Sequence, residues 1–97
     1  MSPSDRDRIE TQLVRLWNQV EAVLIAKFPE QHESIEFRCY FDPADDMPYW
    51  VRLGEVYGEH YDVHGFTAKH ALARFQVFGV QMIRGRLAMD GARREAR

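Results

Sequence analysis

The stretch from Tyr49 to Leu87, YWVRLGEVYGEHYDVHGFTAKHALARFQVFGVQMIRGRL, constrains the fold more than any other, because two hydrophobic periods follow one another in it. Its first half alternates residue by residue, as a pleated strand does. Its second half repeats every three to four residues, as a helix does. Between the two alternating runs the parity of the loop decides which residues can be buried. An even loop mixes apolar and charged side chains on both faces. An odd loop gathers Tyr49, Val51, Leu53, Tyr61 and Val63 on one face and Trp50, Arg52, His60, Asp62 and His64 on the other. Only the odd solution yields a face worth burying. A loop from Glu55 to Glu59 sets Arg52 opposite Asp62, a favourable cross-strand pair, whereas a loop of Tyr57, Gly58 and Glu59 keeps the faces and changes the register.

The helical half places Ala68, Ala71, Leu72, Phe75, Gly79, Met82 and Ile83 in one stripe, with Thr67 positioned to cap the first turn. Gly85 weakens this helix and Gly91 is the expected stop. Near the N-terminus, Ser2, Pro3 and Asp5 read as cap, first helical position and third position. Ile9, Leu13, Leu16, Trp17, Val20, Val23 and Leu24 then form an apolar stripe that Pro29 ends. Trp17 is expected in the core. Val14 and Ile25 lie off the stripe, which suggests a helix covered on more than one side. From Ile35 to Phe41 the pattern alternates again, with Cys39 on the inner face. DPADDMP, from Asp42 to Pro48, is a loop by its proline and aspartate content. The expected architecture is α+β: a three-stranded antiparallel sheet with two helices on one face, in the order α-β-β-β-α. Residues 1–97 make one domain, with a charged tail from about residue 90 expected to fray.

Nothing in the chain is left to cover the second face of the sheet, which carries Glu36, Arg38, Tyr40, Trp50, Arg52, His60, Asp62 and His64. Charge is strongly segregated. From Glu30 to Asp62 nine carboxylates oppose only Arg38 and Arg52, while from Thr67 onward seven lysines and arginines oppose Asp90 and Glu95. A lone cysteine excludes an internal disulfide, the polar start MSPSDRDRIE does not resemble a signal peptide, and no apolar run is long enough to span a membrane. A cytoplasmic protein is expected.

The sequence contains no glycine-rich phosphate loop, nucleophile elbow or metalloprotease helix motif, so neither an enzyme nor a bound cofactor is expected. His60, Asp62 and His64 share a strand face, yet alternate positions stand about 7 Å apart, too far for the outer pair to share a metal. DPADDMP lacks the glycine and distal glutamate of an EF-hand loop. Tyr40, Trp50 and Arg52, beside the acidic loop residues Asp42, Asp45 and Asp46, have the make-up of an interface centre with a polar rim. They are the candidate partner-binding residues. Ala73, Val77 and Val80 form a second, small apolar patch, a candidate homodimer contact.

Two resemblances bear on the partner. The element order and the basic start of the last helix, TAKHALARF, resemble a double-stranded-RNA-binding domain from Arg8 to Leu87. That resemblance implies phosphate contacts at Lys69, Arg74 and Arg84. The chain departs from the family in lacking its glycine-proline-histidine-type loop and its run of lysines, and DPADDMP would repel a phosphate backbone. In size, acidic surface and the passage from YWVRL and HYDVHGF into TAKHALARF, the chain is also similar to small phage-encoded inhibitors of the anti-CRISPR type. This second resemblance implies stoichiometric binding to a basic, nucleic-acid-handling protein, with carboxylates where phosphates normally sit. An antitoxin or immunity protein shares the same outline.

Overall fold

The computed structural model describes residues 2–56 and 59–95. Helix α1 runs over Pro3–Lys27, and a short 3-10 turn at His32–Ser34 leads to strand β1, Phe37–Phe41. Strands β2 (Tyr49–Val56) and β3 (Glu59–Gly65) follow, and then helix α2 (Ala68–Arg74), a π-helical turn (Phe75–Gly79) and helix α3 (Val80–Glu95). The last three form one continuous helix, because Arg74, Phe75 and Val80 all keep right-handed helical dihedrals. The sheet is antiparallel throughout, in the order β1-β2-β3, with both helical segments on one face.

Local chemistry sets the element boundaries. The Ser2 hydroxyl accepts from the Asp5 N–H at 3.2 Å and donates to the Asp5 carboxylate at 2.8 Å, which caps α1 at Pro3, where the proline's missing N–H costs nothing. Thr67 does the same for α2 by accepting from the His70 N–H at 3.0 Å. Gly65, at the end of β3, is buried against α2: a Cβ there would lie 2.2 Å from the Ala71 backbone nitrogen, so only glycine lets strand and helix approach this closely.

The register of the central hairpin pairs Arg52 with Asp62, Val51 with Val63 and Trp50 with His64. The pairing of Arg52 with Asp62 is that of the loop from Glu55 to Glu59, but a one-residue irregularity between Leu53 and Val56 carries the strands on to Val56 and Glu59, so the connection is shorter than either expected loop; Tyr57 and Gly58 lie outside the described residues. The inner face is the expected one. Val51, Leu53, Val63 and Tyr49 are buried with Leu16, Val20 and Leu24 of α1 and Ala71, Phe75, Val80 and Ile83 of the C-terminal helix.

Three expectations are corrected. Trp17 is 39% exposed; it leans on Phe37, with ring centroids 4.5 Å apart, and does not enter the core. Successive helix residues turn by about 100°, so Trp17 lies beside the buried Leu16 and overhangs β1, which is the edge of the sheet. Val14 and Ile25 are also exposed, so α1 is covered on one side only. Second, Val80 belongs to the core and not to an outer patch with Ala73 and Val77. The π-helical turn adds a residue to one turn and rotates α3 relative to α2, and Gly79 makes room for it. A Cβ at Gly79 would lie 2.4 Å from the Phe75 ring. Third, the helix continues through Gly91 to Glu95 where a stop at Gly91 was expected. A glycine in an exposed helix costs only about 1 kcal/mol, and it ends a helix only where the chain reverses.

Phe75 is fully buried at the centre of this arrangement. Phe75→Ala is expected to lower unfolding free energy by about 3 to 5 kcal/mol in a denaturant titration, whereas a near-neutral result would place the ring outside the core.

Candidate functional interface on the open sheet face

The same alternation that buries Val51 and Leu53 turns Trp50 and Arg52 to the opposite side of β2, where no element of the described chain covers them. Because all three strands are in register, their outward residues line up in rows. Tyr40, Trp50 and His64 form one row across the sheet, and Arg38, Arg52 and Asp62 form the next.

The first row is an aromatic platform fixed on several sides. The Trp50 indole stacks on the His64 imidazole with centroids 4.2 Å apart and planes 9° from parallel. Its Nε1–H donates to the Met47 carbonyl at 2.9 Å, which ties the platform to the acidic loop. The Arg52 guanidinium stands 5.5 Å from the Tyr40 ring centre and 6.0 Å from that of Trp50. It is held there by two hydrogen bonds to Asp62, of 2.8 and 3.1 Å, the fork-to-fork geometry that arginine makes with a carboxylate. These side chains are ordered before any partner arrives. Next to them Gly54 leaves a shallow hollow, bordered by Glu36, Arg38, Tyr40, Arg52 and His60.

The loop from Asp42 to Pro48 is built by its own aspartates. Asp42 accepts from the Ala44 N–H at 3.0 Å, and Asp45 accepts from the Met47 N–H at 2.9 Å. Asp46 is exposed. Of the three candidate acids, two therefore shape the loop as well as charging it. The loop ends where the Asp42 N–H donates to the Pro48 carbonyl at 2.8 Å, next to the platform.

Arg52 holds the Asp62 carboxyl below the usual carboxylate pKa, chiefly by hydrogen bonding, which outweighs the opposing effect of burial, and further by its charge. His64 and Asp62 are thus engaged by Trp50 and Arg52, and among the described residues no three histidines, cysteines, aspartates or glutamates are grouped to hold a metal ion. Cys39 points the other way, into the half-buried inner face, and burial pushes its thiol up to about 12, far from the reactive thiolate range.

The basic candidates of the last helix do not converge. Lys69 lines a hollow against Gln12, Arg15 and Gln19 of α1, the Arg74 guanidinium lies 5.2 Å over the Phe78 ring, and Arg84 is exposed on α3. On the outer side of α2, Phe66 stacks on His70 at 5.2 Å, and its N–H donates to His70 Nδ1 at 3.0 Å.

The stack of His64 on Trp50 was within reach of the sequence. It follows at once from the register that pairs Arg52 with Asp62, two positions along the same strands. The Met47 carbonyl as partner of the indole has no sequence signal, because it depends on the path of the loop.

Comparison with known proteins gives no match: no family model, no curated protein and no solved structure is significantly similar to the chain.

The Arg52 to Asp62 pair sets a pH dependence whose sign is fixed. Asp62 is more acidic in the folded chain than in the unfolded one, so the pair stabilises the hairpin above the unfolded carboxylate range, about pH 4, and its contribution disappears as the pH falls through the lowered folded value. In a double-mutant cycle of Arg52→Ala and Asp62→Ala, the coupling measured at pH 7 is expected to vanish in acid. Coupling that persists at the lowest pH would contradict the ion pair.

Proposed function

We propose that this chain is a non-enzymatic binding protein that acts by occupying a surface on another protein, with the open sheet face as its contact. The observation that supports this reading is the uncovered aromatic row Tyr40, Trp50 and His64, held in place by stacking, by the Met47 carbonyl and by the Arg52 to Asp62 pair. A face prepared in this way loses little side-chain entropy on binding, which favours affinity over adaptability. Large aromatics and arginine at the centre with charges around them are the composition of an energetic hot spot.

The partner proposed is basic. Asp42, Asp45 and Asp46 lie at one end of the row and Glu36 borders the hollow beside Arg38, so the rim offers carboxylates to a cationic surface such as that of a nucleic-acid-handling protein. Stoichiometric inhibition of the anti-CRISPR kind, or the action of an antitoxin or immunity protein in the cytoplasm, is the biological form of this reading. Among the described residues no helix is long and apolar enough to cross a membrane. The RNA-binding reading through Lys69, Arg74 and Arg84 gains no specific support, since the three cations are spread along the last helix and one is folded onto Phe78.

The test is affinity capture of the partner from the source cell, followed by titration with variants that leave the fold intact. Trp50→Ala and Asp46→Lys are each expected to weaken binding about tenfold or more. Unchanged affinity in both would place the contact elsewhere. Retention by duplex RNA that weakens steeply with salt would replace this reading with the nucleic-acid one.

A further inference from the structure

The two edges of the sheet are not alike. In an antiparallel pair every second residue directs its N–H and C=O to the neighbouring strand and the others direct theirs away. The Gly54 N–H donates to the Glu36 carbonyl at 2.7 Å and the Asp42 N–H to the Pro48 carbonyl at 2.8 Å, so Glu36, Arg38, Tyr40 and Asp42 are the residues of this segment that bond to β2. Phe37, Cys39 and Phe41 therefore present their backbone groups at the outer edge, where the sheet has no further strand among the described residues.

By the same alternation the outer edge of β3 is formed by His60, Asp62 and His64. The residues at that edge are all polar, an ionised carboxylate and two imidazoles. The β1 edge has no such guard. It contains no proline and no bulge, and its one charged side chain, Arg38, points to the open face.

Directly beside this free edge runs a groove of about 270 Å³ between β1 and α1, lined by Leu13, Val14, Trp17, Asn18 and Cys39. Val14 is 61% and Trp17 39% exposed, although both are large and apolar. Glu10, Val14, Trp17 and Glu21 are spaced four, three and four residues apart, so they form one side of α1, with an exposed carboxylate on each flank of the apolar pair.

We infer that the β1 edge and the outer side of α1 form a docking groove for an extended peptide of a partner protein, which adds as a fourth strand beside β1. Its backbone meets Phe37, Cys39 and Phe41. An apolar side chain enters the groove over Cys39, between Val14 and Trp17, and basic residues two positions to either side face Glu10 and Glu21. Main-chain bonds give such a complex its affinity, and the alternate side chains give it selectivity. This surface is separate from the open face, and a failure of one leaves the other standing.

The probe is the acetylated, amidated peptide Thr-Arg-Thr-Val-Thr-Arg-Thr, in which both arginines and the valine share one side of a strand. With saturating peptide, amide exchange at Phe37, Cys39 and Phe41 is expected to slow tenfold or more by nuclear magnetic resonance, while the signals of Trp50 and His64 stay in place. Val14→Lys, at an exposed position that does not support the core, is expected to weaken the peptide at least tenfold. Unaltered exchange at those three amides with millimolar peptide would overturn the inference, as would a peptide footprint on Trp50. Protection that appears without peptide and rises with protein concentration would also overturn it, because the occupant would then be a second copy of this chain.

Discussion

Burial of alternate residues of β2 is the constraint on which the rest of the structure depends. Val51 and Leu53 are fully enclosed between the sheet and the two helical segments, and neither can move to the other side without exposing both. That fixed alternation carries Trp50 and Arg52 outward. Both helical segments pack on the inner face and no described element covers the other, so the outward residues satisfy one another. They do so through the stack on His64, the hydrogen bond to Met47 and the fork to Asp62. What would otherwise be an exposed indole becomes part of an ordered surface.

The helices follow the same economy of cover. Helix α1 lies along the edge strand β1 and not over the middle of the sheet, which is why Trp17 ends at the rim on Phe37 and Val14 stays in solvent. On the other side, Gly65 lets α2 press onto the end of β3, and Gly79 lets the Phe75 ring lie across its own helix where the π-helical turn forms. Two glycines thus set how closely the C-terminal helix packs, and through it how completely Leu53 and Val63 are enclosed.

Much of this was legible in the residues because parity is a strong constraint. Once Val51, Leu53 and Val63 must share a face, the outward set follows; the opposition of Arg52 to Asp62 is one of the registers that parity allows, and the caps at Ser2 and Thr67 are legible separately, from a hydroxyl just ahead of a helical run. Features that depend on the sideways placement of one element on another were not legible. A helical stripe says which residues face a sheet but not which strand the helix lies above, so Trp17 was assigned to the core. The π-helical turn was hidden for a related reason: Gly79 reads as an ordinary stripe position until the direction of the Phe75 ring is known. Gly91 misled because glycine is as compatible with a continuing exposed helix as with its end. The outward candidates Tyr40, Trp50 and Arg52 were found together. His64 was grouped with His60 and Asp62 as a possible ligand set when its neighbour across the sheet is the indole.

The most direct test of this account is the nuclear Overhauser pattern of the Trp50 indole in the free protein. Cross-peaks to the His64 ring and to the Arg52 side chain, with none to Leu16, Val20 or Phe75, are the expected result. Cross-peaks from the indole to those three core side chains would mean that the wet face of the sheet is covered, and would remove the platform.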